Sequence, residues 1–458
     1  GKYNTGIGYA ALINNTTADT NTATGFAALY GTTTGAFNTA SGYKALTANT
    51  TGTRNTATGK DALRDNTTGA KNSAHGMCAM VCTTTGSHNT GSGAYALSRN
   101  TTGGWNAALG AYAMMGATTA SYNTASGGYA LRNITTGNLN TATGYNALCG
   151  TTTGACNTAV GSEALNKNTT GSCNVAVGFC ALHCNTTGHR NTATGMYALR
   201  LSTTGLYNTS TGFNSMFSTT TGTHNTVSGD HAMGLNTTGS CNTVAGQSAL
   251  YGNTTGGHNT ASGYSALRYN TTASYNTAYG SCALYCNTTG ANNTATGFKA
   301  LAANSTGANN TGVGYAALLA NTTGAKNHAT GYYALVTNTT GANNTASGYS
   351  SLKSNTTGQL NAAAGSCALY SNTTGQANIA LGGNAGASNT TGNDNVFLGY
   401  AACGSSATAQ NQIVIGYGAD GLGDNQTVIG NTSTTNTTIF GTVSAPDATF
   451  GAVMESGL

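Results

Sequence analysis

The chain has 458 residues with 67 Gly, a single Pro and only 5% charged residues, and Thr and Asn dominate much of the rest. Ordinary globular domains are about 25% charged and disordered chains are rich in charge and proline, so neither class fits, and an enzyme-like composition is missing too. A formal charge of +5, from 15 Lys and Arg against 10 Asp and Glu, is too thin and scattered for a nucleic-acid or anionic-membrane surface, and no apolar run approaches a membrane span. With neither an initial Met nor a signal-peptide pattern, the chain reads as a mature or trimmed product.

From Asn4 the segment NTGIGYAALINNTTADT is followed by NTATGFAALYGTTTGAF from Asn21, NTASGYKALTANTTGTR from Asn38 and NTATGKDALRDNTTGAK from Asn55. The period of 17 runs without insertion or deletion to Asp394, so residues 4–394 hold 23 units, and a shortened twenty-fourth starts at Asn395. Every unit begins with Asn, as at Asn21 and Asn38, and carries Gly fifth, as at Gly25 and Gly42. Leu or Met holds the ninth position through Leu369, as at Leu29 and Leu46, and Thr-Thr fills the thirteenth and fourteenth with one change at Ser305.

Helical repeats need room for two helices, which a 17-residue unit of Gly, Thr and Asn does not supply. N-T-A-x-G therefore reads as a short strand whose second and fourth residues face one way and whose third faces the other. The fifth-position Gly marks a positive φ or a close approach of backbones, Ala-Leu is the main apolar element, and N-T-T-G supplies turn chemistry. One unit is one coil of an all-β parallel β-solenoid, or β-roll. About 23 regular coils stacked at roughly 4.8 Å make a rod on the order of 110 Å long. Identical positions then lie above one another, and the first-position Asn is expected to bond amide to amide up the stack.

Each coil offers as core only Ala at its third and eighth positions, Leu or Met at its ninth, and at times an aromatic at its sixth, such as Tyr9, Phe26, Tyr43 or Phe298. Ordering 17 residues costs more than about 1 kcal/mol each, and that thin core returns only a few kcal/mol, so a self-associated, parallel homotrimer is expected.

After Asn395 the spacing changes: N-Q-I-V-I-G (Asn411–Gly416) recurs as N-Q-T-V-I-G (Asn425–Gly430), followed by Thr438-Ile439-Phe440-Gly441. This segment resembles the head repeats of trimeric autotransporter adhesins, YadA-like β-rolls, and similar repeats of bacteriophage tail fibres. The resemblance is specific over residues 395–441 and looser over the 17-residue units. It implies left-handed parallel β-rolls assembled as trimers on a cell or virion surface. A heptad stalk, a membrane-anchor barrel and a C-terminal chaperone, which belong to that family's pattern, are not recognisable. Three regions are expected: a shaft at 1–394, divergent head-like repeats at 395–441, and a tail at 442–458 that caps or joins.

Cys78/Cys82, Cys180/Cys184 and Cys282/Cys286 occupy the seventh and eleventh positions of their units, with successive pairs 102 residues apart, which points to a duplication of six coils. Each pair is a candidate disulfide across the apolar corner. Cys156 and Cys173 share the seventeenth position of adjacent units, within disulfide reach, and bonded cysteines would imply an oxidising, extracellular setting. Free buried thiols and a metal site near His183 and Cys184 are the competing readings, and no cofactor or metal is expected. Asn15, Asn49, Asn66, Asn168, Asn236 and Asn389 each begin an N-x-T acceptor on an expected exposed turn, and N-T-T-G is equally a good turn in its own right.

Thr22/Thr24, Thr56/Thr58, Thr141/Thr143, Thr192/Thr194 and Thr294/Thr296 suggest a flat Thr-x-Thr face of the kind some solenoids use on ice, interrupted by units such as Asn174–Val177. Aromatics at the sixth position and at the tenth (Tyr30, Tyr251, Tyr285, Tyr370) suggest glycan strips or, with more weight, core and interface packing. Asp61, Glu163 and Asp230 fall at related corner positions without a partner nearby, and His75, His88, His224 and His258 recur without a carboxylate or nucleophile in register and read as solvated or satisfied histidines, so an enzyme is not expected. The expected function is an extracellular structural fibre or adhesin shaft that spaces or displays a surface-binding function, with a cell-surface glycan or receptor as a possible partner. Ice or glycan binding and self-stacking into a filament are the alternatives.

Overall fold

The computed structural model describes residues 1–438. The motif residues Ile439–Gly441 and the tail at 442–458 lie outside them. The described chain is all-β, with 26 strands of three residues each, from Thr5–Ile7 to Thr427–Ile429. Every strand pairs in parallel with the next. The register is one repeat: Thr22 faces Thr39, Ala23 faces Ala40 and Thr24 faces Ser41, and the same offset holds to Val396 facing Ile413. The last step shortens to 14 residues, with Ile413 facing Thr427. The expected solenoid is the fold, at about 25 laps of a single rod.

The strands alternate as the sequence demands. In Thr192–Thr194 and Thr294–Thr296 the central Ala is buried and the flanking Thr side chains point outward. The fifth-position Gly that follows needs both properties expected of it. Gly212 has φ +130°, and a Cβ placed there would sit 2.4 Å from the carbonyl oxygen of Gly229 in the next coil.

Three further positions in each coil from Asn4 to Ala377 adopt left-handed backbone without being Gly. The seventh, ninth and seventeenth all have φ near +50° to +60°, as at Lys44, Leu46 and Arg54. A β-branched side chain is a severe outlier there, whereas unbranched residues and Asn or Asp fit. The ninth position accordingly carries Leu or Met where Val and Ile would bury equally well, and Thr20 is the one β-branched residue at any of the three in the regular units. Leu267→Ile, which conserves volume, is therefore expected to cost about 1–3 kcal/mol, against less than about 1.5 kcal/mol for Leu267→Met. Denaturant unfolding of the two variants compares them, and equal stability would show that backbone strain does not select the residue.

The core holds the third, eighth and ninth positions, all fully buried, as at Ala40, Ala45 and Leu46. Sixth-position aromatics do not join it: Tyr9 is 77% and Phe298 41% exposed, because the glycine turn before them carries them outside. Near the C-terminal end the packing pattern inverts. Phe397 fills the third position and Gly386 replaces the ninth-position Leu, where a Cβ would lie 2.5 Å from the Phe397 ring.

Buried amides fill the rest of the core, and the division of labour differs from the expected one. At the first position each backbone N–H donates to the side-chain oxygen of the coil before. The series is unbroken from Asn21 on Asn4 (2.8 Å) to Gln412 on Asn395 (3.0 Å). The same Asn spans its own coil through Nδ2, as Asn208 does to the Gly222 carbonyl at 2.8 Å. Amide-to-amide contacts occur here as secondary bonds, for example Asn106 Nδ2 to Asn89 Oδ1 at 3.1 Å. The clean amide ladder runs instead at the twelfth position. Asn338 Nδ2 donates to Asn321 Oδ1 at 2.8 Å and to the Gly341 carbonyl at 3.0 Å, and the pattern continues to Asn389. Beside it the Thr-Thr-Gly turn converges on one oxygen: the Thr50 carbonyl accepts from the N–H groups of Thr33, Thr34 and Gly35 and from the Thr33 hydroxyl. Buried polar groups need partners, and stacking identical coils supplies them at every lap.

The head-like segment continues the same stack with an offset. Gln412, not Asn411, takes the ladder position, while Asn411 and Asn425 fall on left-handed backbone at the coil's end.

Candidate functional site

The core is filled, so every candidate site lies on the outside of the rod, in columns built by one repeat position.

The outward face of the strands carries the Thr and Ser columns. Thr or Ser stands at both outer positions in at most three consecutive strands, as in Thr22–Thr58 and Thr192–Ser228. His75, Leu109, Val160 and Tyr279 interrupt the array. At the C-terminal end the face turns apolar, with Ile379 50%, Leu381 53%, Leu398 39% and Ile413 40% exposed.

Aromatic columns form at the sixth, seventh and seventeenth positions. Tyr9, Phe26 and Tyr43 stack with centroids 5.4 and 5.3 Å apart, and Phe298, Tyr315, Tyr332 and Tyr349 continue the type at 5.0–5.4 Å. His88 stacks on Trp105 at 4.1 Å, and His224 and His258 lie against Tyr207 and Tyr275. These stacks account for three of the histidines singled out in the sequence. Because each ring covers its neighbour's face, a stack offers a sugar only its edges along its length. A free face remains where a column stops.

The twelve cysteines are all free thiols. Cys78, Cys82, Cys184 and Cys282 are half-buried, Cys180 is buried, and Cys156, Cys173 and Cys286 are exposed. The expected disulfides are therefore corrected. In the Cys180/Cys184 pair each thiol has a partner of its own: Cys180 Sγ donates to Glu163 Oε2 of the preceding coil at 3.5 Å, and Cys184 Sγ lies 3.4 Å from His183 Nδ1.

That contact belongs to a cluster the sequence reading missed. His183 Nε2 is 3.4 Å from Glu163 Oε2, so Glu163 does have partners. Asp230 likewise meets His231 at 2.7 Å. The signal was available: tenth-position side chains reach back to the seventh position of the coil before, 20 residues away, as Asn166 does to the Asn146 carbonyl. Burial pushes the Cys180 thiol up to about 11, helped by its hydrogen bond to Glu163. Burial also lowers His183, with Lys167 and Arg200 adding to it against Glu163. A lowered His183 and a raised Cys180 thiol on the same carboxylate are the reverse of an activated nucleophile and its base. Among the described residues no group of three or more His, Cys, Asp or Glu side chains could hold a metal ion.

A labelling experiment checks this. Alkylation of the native chain near pH 8 is expected to modify exposed Cys156 and Cys173 first. Cys180 should lag, its rate rising about tenfold per pH unit until the medium approaches its raised pKa. Mass spectrometry of the peptides reads the order, and equal rates at pH 8 would contradict the buried, carboxylate-bonded thiol.

The sequon asparagines are corrected as well. Asn49, Asn66, Asn168 and Asn236 are 0% and Asn389 2% exposed, and Asn15 in the first coil is half-buried. Their Nδ2 groups, the atoms a glycan would need, donate inside the rod, as Asn66 does to Asn49 Oδ1 and the Gly69 carbonyl. The N-T-T-G motif is a core ladder followed by a turn.

Three clefts open along the corner of seventh, tenth and eleventh positions. They have volumes of about 540 Å³ at Tyr285 and Ala302, 290 Å³ at Phe217 and Gly234, and 600 Å³ at Lys353 and Tyr370. Each forms where a bulky tenth-position residue is followed by a small one: Phe217 by Gly234, Tyr285 by Ala302, Tyr370 by Ala387. No helix of the described residues is long and apolar enough to cross a membrane. No family model matches the chain, and no curated protein matches it.

Proposed function

We propose that this chain is the shaft of an extracellular structural fibre or adhesin, a stiff rod that spaces or displays a surface-binding function and works as a parallel homotrimer. The observation that carries the reading is the first-position ladder, in which every coil from Asn4 to Gln412 is bonded to the next through the same groups without interruption. Stiffness along one axis is what a spacer requires. Stacking identical coils supplies it, since bending would open the same bonds at every lap. Outward Thr and Ser keep most of the sheet face compatible with water. The apolar outward face at Ile379, Leu381, Leu398 and Ile413 supports association of chains at the head-like end, where burying it removes exposed aliphatic surface from water. The resemblance of residues 395–441 to trimeric autotransporter and tail-fibre repeats supports the same assembly and setting.

Native mass measurement and electron microscopy of the full chain test the reading. The expected result is a particle of three times the 45.4 kDa chain mass. Its images should be straight rods about 120 Å long or more, from about 25 steps of 4.8 Å. A monomer mass would overturn the trimer, and bent or globular particles would overturn the shaft.

A further inference from the structure

The geometry points to a binding site for a sugar acid, a pyranose carrying a carboxylate, in the cleft between Tyr349 and Lys353. This goes beyond the shaft reading and does not depend on it. The stack Phe298, Tyr315, Tyr332, Tyr349 stops there, because the next two sixth-position residues are Ser366 and Gly383, and the column resumes only with Tyr400 stacked on Tyr417. Tyr349 is 56% exposed, so the face not covered by Tyr332 is open across exposed Ser366. Aromatic faces take the aliphatic side of a sugar ring, and here the rung that would otherwise cover the face is missing.

The cleft beside it has a volume of about 600 Å³, within the range of small-ligand sites. Lys353 Nζ donates to the Tyr370 hydroxyl at 3.0 Å and lies 5.9 and 5.0 Å from the rings of Tyr333 and Tyr370. The ion pairs among the described residues are Arg64 with Asp65, His183 with Glu163 and His231 with Asp230, so no carboxylate neutralises this ammonium. Its remaining donors suit a ligand carboxylate. Ser350, on the cleft wall, is 1% exposed and its hydroxyl has no hydrogen-bond partner. Ser265, in the same repeat position, is also unpartnered, but of the two only Ser350 lines this cleft. Ser371 and Asn384 add a hydroxyl and an amide for ring hydroxyls. The cleft at Tyr285 is walled mainly by Ala302, Ala303, Leu319 and Ala320 and lacks this polar set.

Saturation-transfer NMR and calorimetry on the full chain, with D-glucuronate, D-glucose and acetate as probes, decide the matter. Glucuronate is expected to bind saturably and at least about tenfold more tightly than glucose or acetate. Lys353→Gln should erase the preference for glucuronate over glucose. Ser366→Trp, which fills the gap above Tyr349 without removing any stack member, should abolish binding, and Tyr349→Ala should weaken it at least about tenfold. Melting curves establish that each variant is folded. If Tyr349→Ala is not, the other two variants decide. The proposal is overturned by absence of saturable glucuronate binding to the unmodified chain, by acetate binding equally well, or by unchanged binding in folded Lys353→Gln and Ser366→Trp.

Discussion

Replacing Gly212 with Ala is expected to destabilise the rod by about 3–5 kcal/mol or more, through a clash no side-chain movement relieves. The added Cβ would sit 2.4 Å from the Gly229 carbonyl oxygen and 2.7 Å from its carbon, both backbone atoms of the next coil. Those coils are held at their spacing by bonds on either side, including Gly212 N to the Thr194 carbonyl and Gly229 N to the Thr211 carbonyl at 2.8 Å. Relief would require separating the coils and losing these bonds, and φ +130° is unfavourable for any L residue as well. Gly128→Ala is the matched control: its Cβ would make ordinary contacts with a Tyr145 ring carbon at 3.7 Å and the Ala111 carbonyl oxygen at 3.9 Å, and the expected change is within about 0.5 kcal/mol. A solenoid responds locally, so hydrogen exchange should accelerate around the coils flanking Gly212 before the whole rod melts. Identical melting and exchange in the two variants would mean that the close approach of glycine columns does not set the coil spacing.

Removing one rung of the twelfth-position ladder is expected to cost nearly as much. Asn338→Ala deletes the bonds of Nδ2 to Asn321 Oδ1 and to the Gly341 carbonyl, and the acceptor used by Asn355 Nδ2 at 2.8 Å. All of these groups are shut off from water, but the Gly341 carbonyl keeps Asn327 Nδ2 at 2.8 Å and Asn355 Nδ2 keeps the Gly358 carbonyl at 3.0 Å, so Asn321 Oδ1 is the group left without a partner. One orphaned buried group costs about 1–3 kcal/mol, and with the other lost bonds a loss of roughly 2–4 kcal/mol follows. Asn338→Asp is more informative because it makes the loss depend on pH. The carboxylate would face the Asn321 oxygen and the Gly341 carbonyl, so its folded-state pKa rises above the unfolded value of about 3.9. The variant is then least perturbed below that value, where the acid is protonated in both states, and loses stability as pH rises through the ordinary carboxylate range. Denaturant midpoints at pH 3 and pH 7 measure it, and a pH-independent variant would show that this position is hydrated. Asn338→Thr should fall between, since the chain itself tolerates Thr219 below Asn236 with a longer bond of 3.3 Å.

The clearest lesson about legibility lies in that same asparagine. Its sequence context, N-T-T, reads equally as a surface acceptor and as a turn, and nothing local distinguishes a buried amide from an exposed one. The distinction appears only when the next coil arrives with another Asn at the same height. Position nine is legible as core, but the reason for Leu over Val is not, because left-handed backbone is a property of the closed lap. Hydrophobicity alone places the sixth-position aromatics inside, and the glycine before them sends them out. The Glu163–His183 contact escapes a search confined to one register, since those corner side chains meet at a separation of 20 residues, whereas Cys180 stands in register with Glu163, 17 residues on, and is read in the sequence only as a disulfide candidate.

An unbroken period of 17 determined the class of fold, the parallel register, the strand positions and the place of the close-packed glycines. These follow from repetition itself: a unit that stacks once on a copy of itself stacks the same way at every lap, so one coil's alternation and turn chemistry specify the whole. The tertiary structure alone decided which amides are buried, that the sixth-position rings stand outside and stack so that an open face is left where a column stops, and which thiols meet a carboxylate. Those outcomes depend on neighbours above and below, where the chain departs from its own repeat and where symmetry carries no information.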